Sequence, residues 1–191
     1  MLETQGLLLS SWLPEKRAER RRWFARKEHH DRKHVRDLAT ESYLGFARRR
    51  WMIASGWLPW PGWPVIEVFE TDDVSLLLTS FCRSWSRTWE VVDAENKLIG
   101  CIRPQLAHFP HVYGETNASR GLHLEDANRR AVAWLPIPRA DEKGEIHGPT
   151  GQELGFWAHT EQGTELRFAG SIQGDPFAKM LILAACLNSK F

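Results

Sequence analysis

Cysteine is scarce in this chain. Cys82, Cys101 and Cys186 are far apart and odd in number, and no two form a C-x-x-C pair. That pattern excludes a disulfide framework and the common thiolate zinc sites. It suits small apolar residues in a reducing, cytosolic setting. Catalytic motifs are missing as well. The sequence contains no G-x-S-x-G, P-loop, H-E-x-x-H or G-x-G-x-x-G pattern, so no enzyme class is indicated and no cofactor or metal is expected. Long apolar runs are also absent. Leu7-Leu8-Leu9 is too short for a secretory signal, and Glu3 occupies the place of a basic region. The longest apolar run, residues 177–187, reaches about 16 Å as a helix against about 30 Å for a bilayer core.

Net charge is nearly absent, at +1 over 191 residues, but the total conceals an asymmetry. Between Glu15 and Arg50 stand 13 Lys/Arg against 6 Asp/Glu, and the remainder carries 12 against 18. A basic segment therefore precedes a mildly acidic body, which points to a polyanionic partner, either phospholipid headgroups or nucleic acid. Pro14 opens this segment. Val35, Leu38, Ala39, Ser42, Tyr43 and Phe46 recur at three- and four-residue spacing, which predicts a basic, largely helical N-terminal arm over residues 1–55. His30 and His34 stand four apart without an evident third ligand, so exposed histidines are expected there rather than a metal site.

Arg48-Arg49-Arg50-Trp51 ends the arm, and residues 56–64 form a Trp/Pro-rich linker. Its prolines exclude a helix, and Trp57, Trp60 and Trp63 would line one edge of an extended conformation. Tryptophan beside an arginine cluster is the chemistry of a membrane interface. Arg48, Arg49, Arg50, Trp51, Trp57, Trp60 and Trp63 are therefore the candidate lipid- or polyanion-binding residues. The competing reading is that these rings clamp the linker onto the body.

From residue 65 the hydrophobic period is two. Strands are expected over 65–70, 75–83, 88–93, 98–103, 122–125, 131–135, 153–159 and 164–169, with turns at 93–97, 126–129 and 161–163. Residues 139–152 read as a long loop, and further strands are expected near 106–113 and 137–146. The chain then ends in an apolar helix over 176–187, capped by Asp175 with Pro176 in its first turn. Phe177, Met180, Leu181, Leu183 and Leu187 leave it no polar stripe, so the strands must wrap it. An eight-stranded barrel is filled by its own side chains, so one enclosing a helix needs more strands. The expected fold is mainly β, an antiparallel closed barrel over 65–191 around a buried C-terminal helix.

The succession Trp89-Glu90-Val91-Val92-Asp93-Ala94, Lys97-Leu98-Ile99-Gly100, residues 122–128 and the terminal run from Asp175 to Cys186 resembles the phospholipid scramblase and LURP-one-related group, with its tubby C-terminal-like fold. The resemblance implies a non-catalytic domain that binds acidic phospholipid or a membrane surface peripherally, and implies phospholipid movement as an associated activity. The alternative is a nucleic-acid or protein interaction module using the basic N-terminal segment. Residues 171–175 offer one carboxylate, whereas calcium takes six to eight oxygens, so no calcium site is expected before the helix.

Overall fold

Alternation of inward and outward side chains, expected from residue 65, begins at residue 6. The computed structural model describes residues 3–11, 32–52, 63–71, 75–82, 87–107, 119–137 and 143–189. Twelve strands form one closed antiparallel barrel in which each strand pairs with its neighbours in sequence and the last pairs with the first. They are β1 (Gly6–Ser11), β2 (Arg32–Asp37), β3 (Tyr43–Met52), β4 (Trp63–Glu70), β5 (Leu76–Cys82) and β6 (Trp89–Asp93) in the first half. β7 (Leu98–Ala107), β8 (Ser119–Asp126), β9 (Ala131–Pro136), β10 (Lys143–His147), β11 (Glu153–Thr160) and β12 (Gly163–Phe168) complete the wall. A single 3-10 turn, Gly170–Ile172, leads into helix α1 (Pro176–Asn188).

Helix α1 is the core. Ile182, Leu183, Ala184, Ala185, Cys186 and Leu187 are fully buried and Leu181 nearly so, packed against inward residues such as Leu7, Ile66, Leu78, Ile102, Leu124 and Leu135. The Asp175 side chain accepts from Ala178 N at 2.9 Å, satisfying one of the helix's orphan donors. Burying Leu181, Ile182, Leu183 and Leu187 is worth on the order of 6–12 kcal/mol together, at about 1.5–3 kcal/mol each. The wall also comes close to the helix where side chains vanish. A Cβ on Gly100 would stand 2.1 Å from the Glu125 carbonyl oxygen and 3.1 Å from Leu181.

One expectation about this helix needs correction, and one of its residues is unusual. Phe177 is 55% exposed, because it lies in the first turn, at the barrel's mouth. Lys179, the one charged residue of the apolar run, is inside, with its ammonium 5.3 Å from the centroid of the Phe168 ring. Its burial pushes the pKa down, and Glu3 partly offsets the effect.

The N-terminal helical arm is likewise corrected over its described part. Residues 32–52 are strands β2 and β3 with a turn between them, and β1 lies between β2 and β12, so the barrel starts at Gly6 rather than at residue 65. Residues 12–31 and the linker's 53–62 lie outside the described residues, while Trp63 and Pro64 begin β4. The misleading period came from a turn. Asp37 Oδ1 accepts from Ala39 N at 2.7 Å and Thr40 N at 3.0 Å, and Glu41 takes φ 55°, so Leu38 and Ala39 reverse the chain. Residues 143–147 are β10, which bears out the further strand expected near 137–146 and shortens the expected long loop, and β7 and β8 extend to Ala107 and from Ser119.

The two ends of the barrel are built differently. Where α1 begins, five connections close with a backbone bond: Asp37 N to Ser42 O, Glu70 N to Ser75 O, Asp93 N to Lys97 O, Asp126 N to Arg130 O and Gly148 N to Gln152 O, each 2.8–3.0 Å. Four of them carry a described residue at positive φ, namely Glu41, Asn96, Arg129 and Gly151. Where α1 finishes, β1, β3, β5, β7 and β9 end and β2, β4, β6, β8 and β10 begin, and apart from short flanking stretches the residues between them, 12–31, 53–62, 83–86, 108–118 and 138–142, lie outside the described residues. The β11–β12 hairpin, Thr160 paired with Gly163, also turns there.

Candidate polyanion-binding face

The arginines of β2 and β3 are placed by strand alternation. Val35 and Ala47 point into the core, so Arg32, His34 and Arg36 on β2, and Phe46, Arg48 and Arg50 on β3, share the outer surface. Across the next pair, Arg48 is opposite Glu67 and Phe46 is opposite Phe69. One outer face of three adjacent strands thus carries four arginines against a single carboxylate.

Glu67 holds two of these arginines. Arg48 donates from Nη2 at 2.6 Å and Nε at 3.1 Å to one carboxylate oxygen, and Arg50 donates from Nη1 at 3.0 Å to the other. Aromatic rings carry the guanidiniums from below. Phe46 and Phe69 stack at 5.0 Å, Arg32 lies 5.0 Å above Phe46, and Arg48 lies 5.1 Å above Phe69. Stacking keeps a guanidinium flat and leaves its edge donors directed sideways, suited to phosphate or carboxylate oxygens. His34 sits among these charges with its ring 5.3 Å from that of Tyr43. Partial burial, then Arg36 and Arg32, push its pKa below the usual 6.5, so it is neutral at pH 7.

The expected site residues divide. Arg48 and Arg50 lie on this face, whereas Arg49 falls on the inward parity with Ala47 and is half-buried. The cluster read as three adjacent arginines is split by the strand. The backbones of Trp51 and Trp63 come together across the β3–β4 ladder, where Trp51 pairs with Pro64 and Met52 with Trp63. Trp57 and Trp60 lie outside the described residues. Arg32, Arg36, His34, Glu67, Phe46 and Phe69 were not anticipated as members. Their signal was the two-residue period in Arg32-x-His34-x-Arg36, Phe46-x-Arg48-x-Arg50 and Glu67-x-Phe69.

Elsewhere the side chains mostly pack. Trp157 is fully buried and donates from Nε1 to the Pro136 carbonyl at 2.9 Å, while Trp134 lies over Gly121, whose Cβ would stand 2.3 Å from the ring. Burial pushes up the thiols of Cys82, Cys101 and Cys186, which keeps them protonated and poorly nucleophilic. Among the described residues no group of three or more His, Cys, Asp or Glu is arranged to hold a metal ion. No helix among them is long and apolar enough to cross a membrane. The wall is apolar inside and carries ion pairs outside, the reverse of a membrane-spanning barrel with its outward apolar band.

These features define the class as a closed antiparallel barrel threaded by its C-terminal helix, with a basic outer face. No family model, curated protein or solved structure matches the chain.

Proposed function

We propose that the protein is a non-catalytic, scramblase/tubby-like barrel module that binds acidic phospholipid at a membrane surface through the outer face of β2, β3 and β4. The observation that carries this reading is the set Arg32, Arg36, Arg48 and Arg50 on one face against Glu67 alone. A barrel closed around a terminal helix is also what the resemblance to the scramblase and LURP-one-related group implies. The backbones of Trp51 and Trp63 lie on adjacent rungs of the β3–β4 ladder beside this face, and tryptophan is a residue enriched at membrane interfaces. Helix α1 and its apolar surroundings fill the lumen, which favours lipid binding over lipid movement.

Nucleic acid is the second reading, since the same cations suit phosphodiesters. One observation weighs against it. Single-stranded bases stack on successive exposed rings, and here Phe46, the ring under Arg32, is only 5% exposed, leaving Tyr43 at 38% as the exposed ring beside it. Headgroup phosphates need the guanidinium edges alone.

Co-sedimentation with phosphatidylcholine vesicles, with and without phosphatidylserine, tests the proposal. The intact protein should pellet with the anionic vesicles only. Arg36 and Arg50 are exposed, so Arg36→Gln with Arg50→Gln should fold normally. At about 1 kcal/mol per cation near an anionic surface, the pair should weaken binding about 30-fold. Equal binding by the variant, or binding to a single-stranded oligonucleotide in preference to vesicles, would refute the lipid assignment.

A further inference from the structure

At the end of the barrel where α1 begins, a cavity of about 320 Å³ opens between the β6–β7 turn, the β8–β9 turn and the first turn of the helix. Its walls are apolar, with Leu98, Ile99, Val132, Phe177 and Leu181 among them. Two of these are exposed to an unusual degree, Phe177 at 55% and Leu98 at 38%. Asp93, Asp126 and Asp175 also line the cavity, against one cation, Lys97. These carboxylates are held in place. Asp93 Oδ1 accepts from the backbone N–H of Glu95 and Lys97, Asp126 Oδ1 from those of Asn128 and Arg130, and Asp175 Oδ1 from that of Ala178, all at 2.8–2.9 Å.

The volume is at the small end of ligand clefts, about 300–1,000 Å³, and suits one large side chain with part of its neighbours. A large apolar ring at an acidic mouth is suited to an incoming apolar group flanked by cations.

We propose that this cavity docks a basic–apolar peptide segment of a partner protein, with one apolar side chain entering between Leu98 and Phe177 and neighbouring Lys or Arg side chains meeting Asp93, Asp126 and Asp175. The partner's charge is opposite to that of the ligand on the β2–β4 face. The two surfaces therefore recruit different molecules, and this site stands whether or not the lipid reading holds.

The test is fluorescence anisotropy of the intact protein with three short synthetic peptides: one bearing a single Phe flanked by lysines, one with the Phe replaced by Gly, and one with the lysines replaced by Glu. The Lys/Phe peptide should bind at least about tenfold more tightly than either of the others. Phe177→Ala removes an exposed ring and should keep the thermal melt while weakening that peptide about tenfold. Asp93→Asn with Asp126→Asn keeps the side-chain oxygens that accept the turn bonds but removes two charges, and should weaken binding several-fold, with the salt sensitivity reduced. The proposal fails if the Lys/Phe peptide binds the wild type no better than it binds Phe177→Ala, or no better than the Glu peptide binds. It also fails if sedimentation velocity shows a wild-type dimer that Phe177→Ala dissolves while peptide binding is absent, since the cavity then serves a second copy of the chain.

Discussion

Two outer faces of the barrel each centre on one carboxylate between two basic side chains, and the faces differ in charge. On β3 and β4, Glu67 holds Arg48 and Arg50 at 2.6 and 3.0 Å. On β7 and β8, Glu125 faces Arg103 at 3.3 Å and His123 at 3.5 Å. Each face centres on one outward carboxylate, but Arg48 and Arg50 both reach Glu67 from the neighbouring strand, whereas Arg103 reaches Glu125 from β7 and His123 stands two residues away on Glu125's own strand. One cation differs in kind, and around it β2 adds Arg32 and Arg36, whereas β6 adds Glu90, which acts electrostatically on Cys101 beside Glu125. Both faces are outward surfaces of the same antiparallel wall, so what sets the β2–β4 face apart is which residues fill it. Its character comes from outward positions filled with a residue that cannot lose its charge, and such positions can be exchanged without touching the core.

The largest effect should come from breaking what both faces share. Leu183 is fully buried at the centre of α1, and Leu183→Asp would leave an unpaired charge there while removing packing against the wall. A loss on the order of 5 kcal/mol or more is expected, enough to abolish a domain of ordinary stability. A chain ending at Gly174 should behave the same way. Circular dichroism melts decide the matter: a cooperative transition in either protein would mean that the wall closes without its helix.

A smaller effect should follow from making the second face resemble the first. His123→Arg places two permanent cations around Glu125, and His123 is partly exposed, so the larger side chain can be housed. Binding to phosphatidylserine vesicles should rise about fivefold for about 1 kcal/mol gained. Arg103→Gln, on the same face of the unaltered protein, should change binding less than about twofold. If Arg103→Gln costs as much as replacing Arg36 and Arg50, the two faces are equivalent and the contrast drawn from their composition is wrong.

How legible these elements were depended on how local their causes are. The turns at Asp93 and Asp126 could be read directly, because an Asp that accepts from residues two and four positions on is a short-range device. Helix α1 was legible for a similar reason, with its cap, its proline and its all-round apolar surface contiguous. The Asp37 turn has the same construction, yet it joined two short apolar stretches into an apparent helical period. Closure itself followed from the need to wrap the helix, but the strands that complete it were not legible, since Leu8 pairs with Glu165 across nearly the whole chain and no local pattern announces such a partner. Arg48-Arg49-Arg50 could be seen as a basic cluster. Only the parity of β3, set by Ala47 packing inward, separates Arg49 from the other two.

The smallest expected effect sharpens the comparison from the side of protonation. His34 stands on the basic face between Arg32 and Arg36 of its own strand, opposite Phe46 on β3 and Ser10 on β1, with Tyr43 beside its ring. Its folded pKa lies below the usual 6.5, through burial first and the two arginines second. Above 6.5 both folded and unfolded chains hold it neutral and it contributes nothing to pH dependence. As pH falls below 6.5 the unfolded chain takes the proton first, so stability declines until the folded pKa is passed. A bound anionic surface reverses the penalty by stabilising the protonated ring, so vesicle binding should couple to proton uptake and tighten as pH drops through the same window. His34→Gln should flatten both trends at once, the acid-side loss in the thermal melt and the acid-side gain in co-sedimentation. Should the gain persist unchanged in His34→Gln, the extra cation at low pH comes from another group, and the arginines alone distinguish the β2–β4 face.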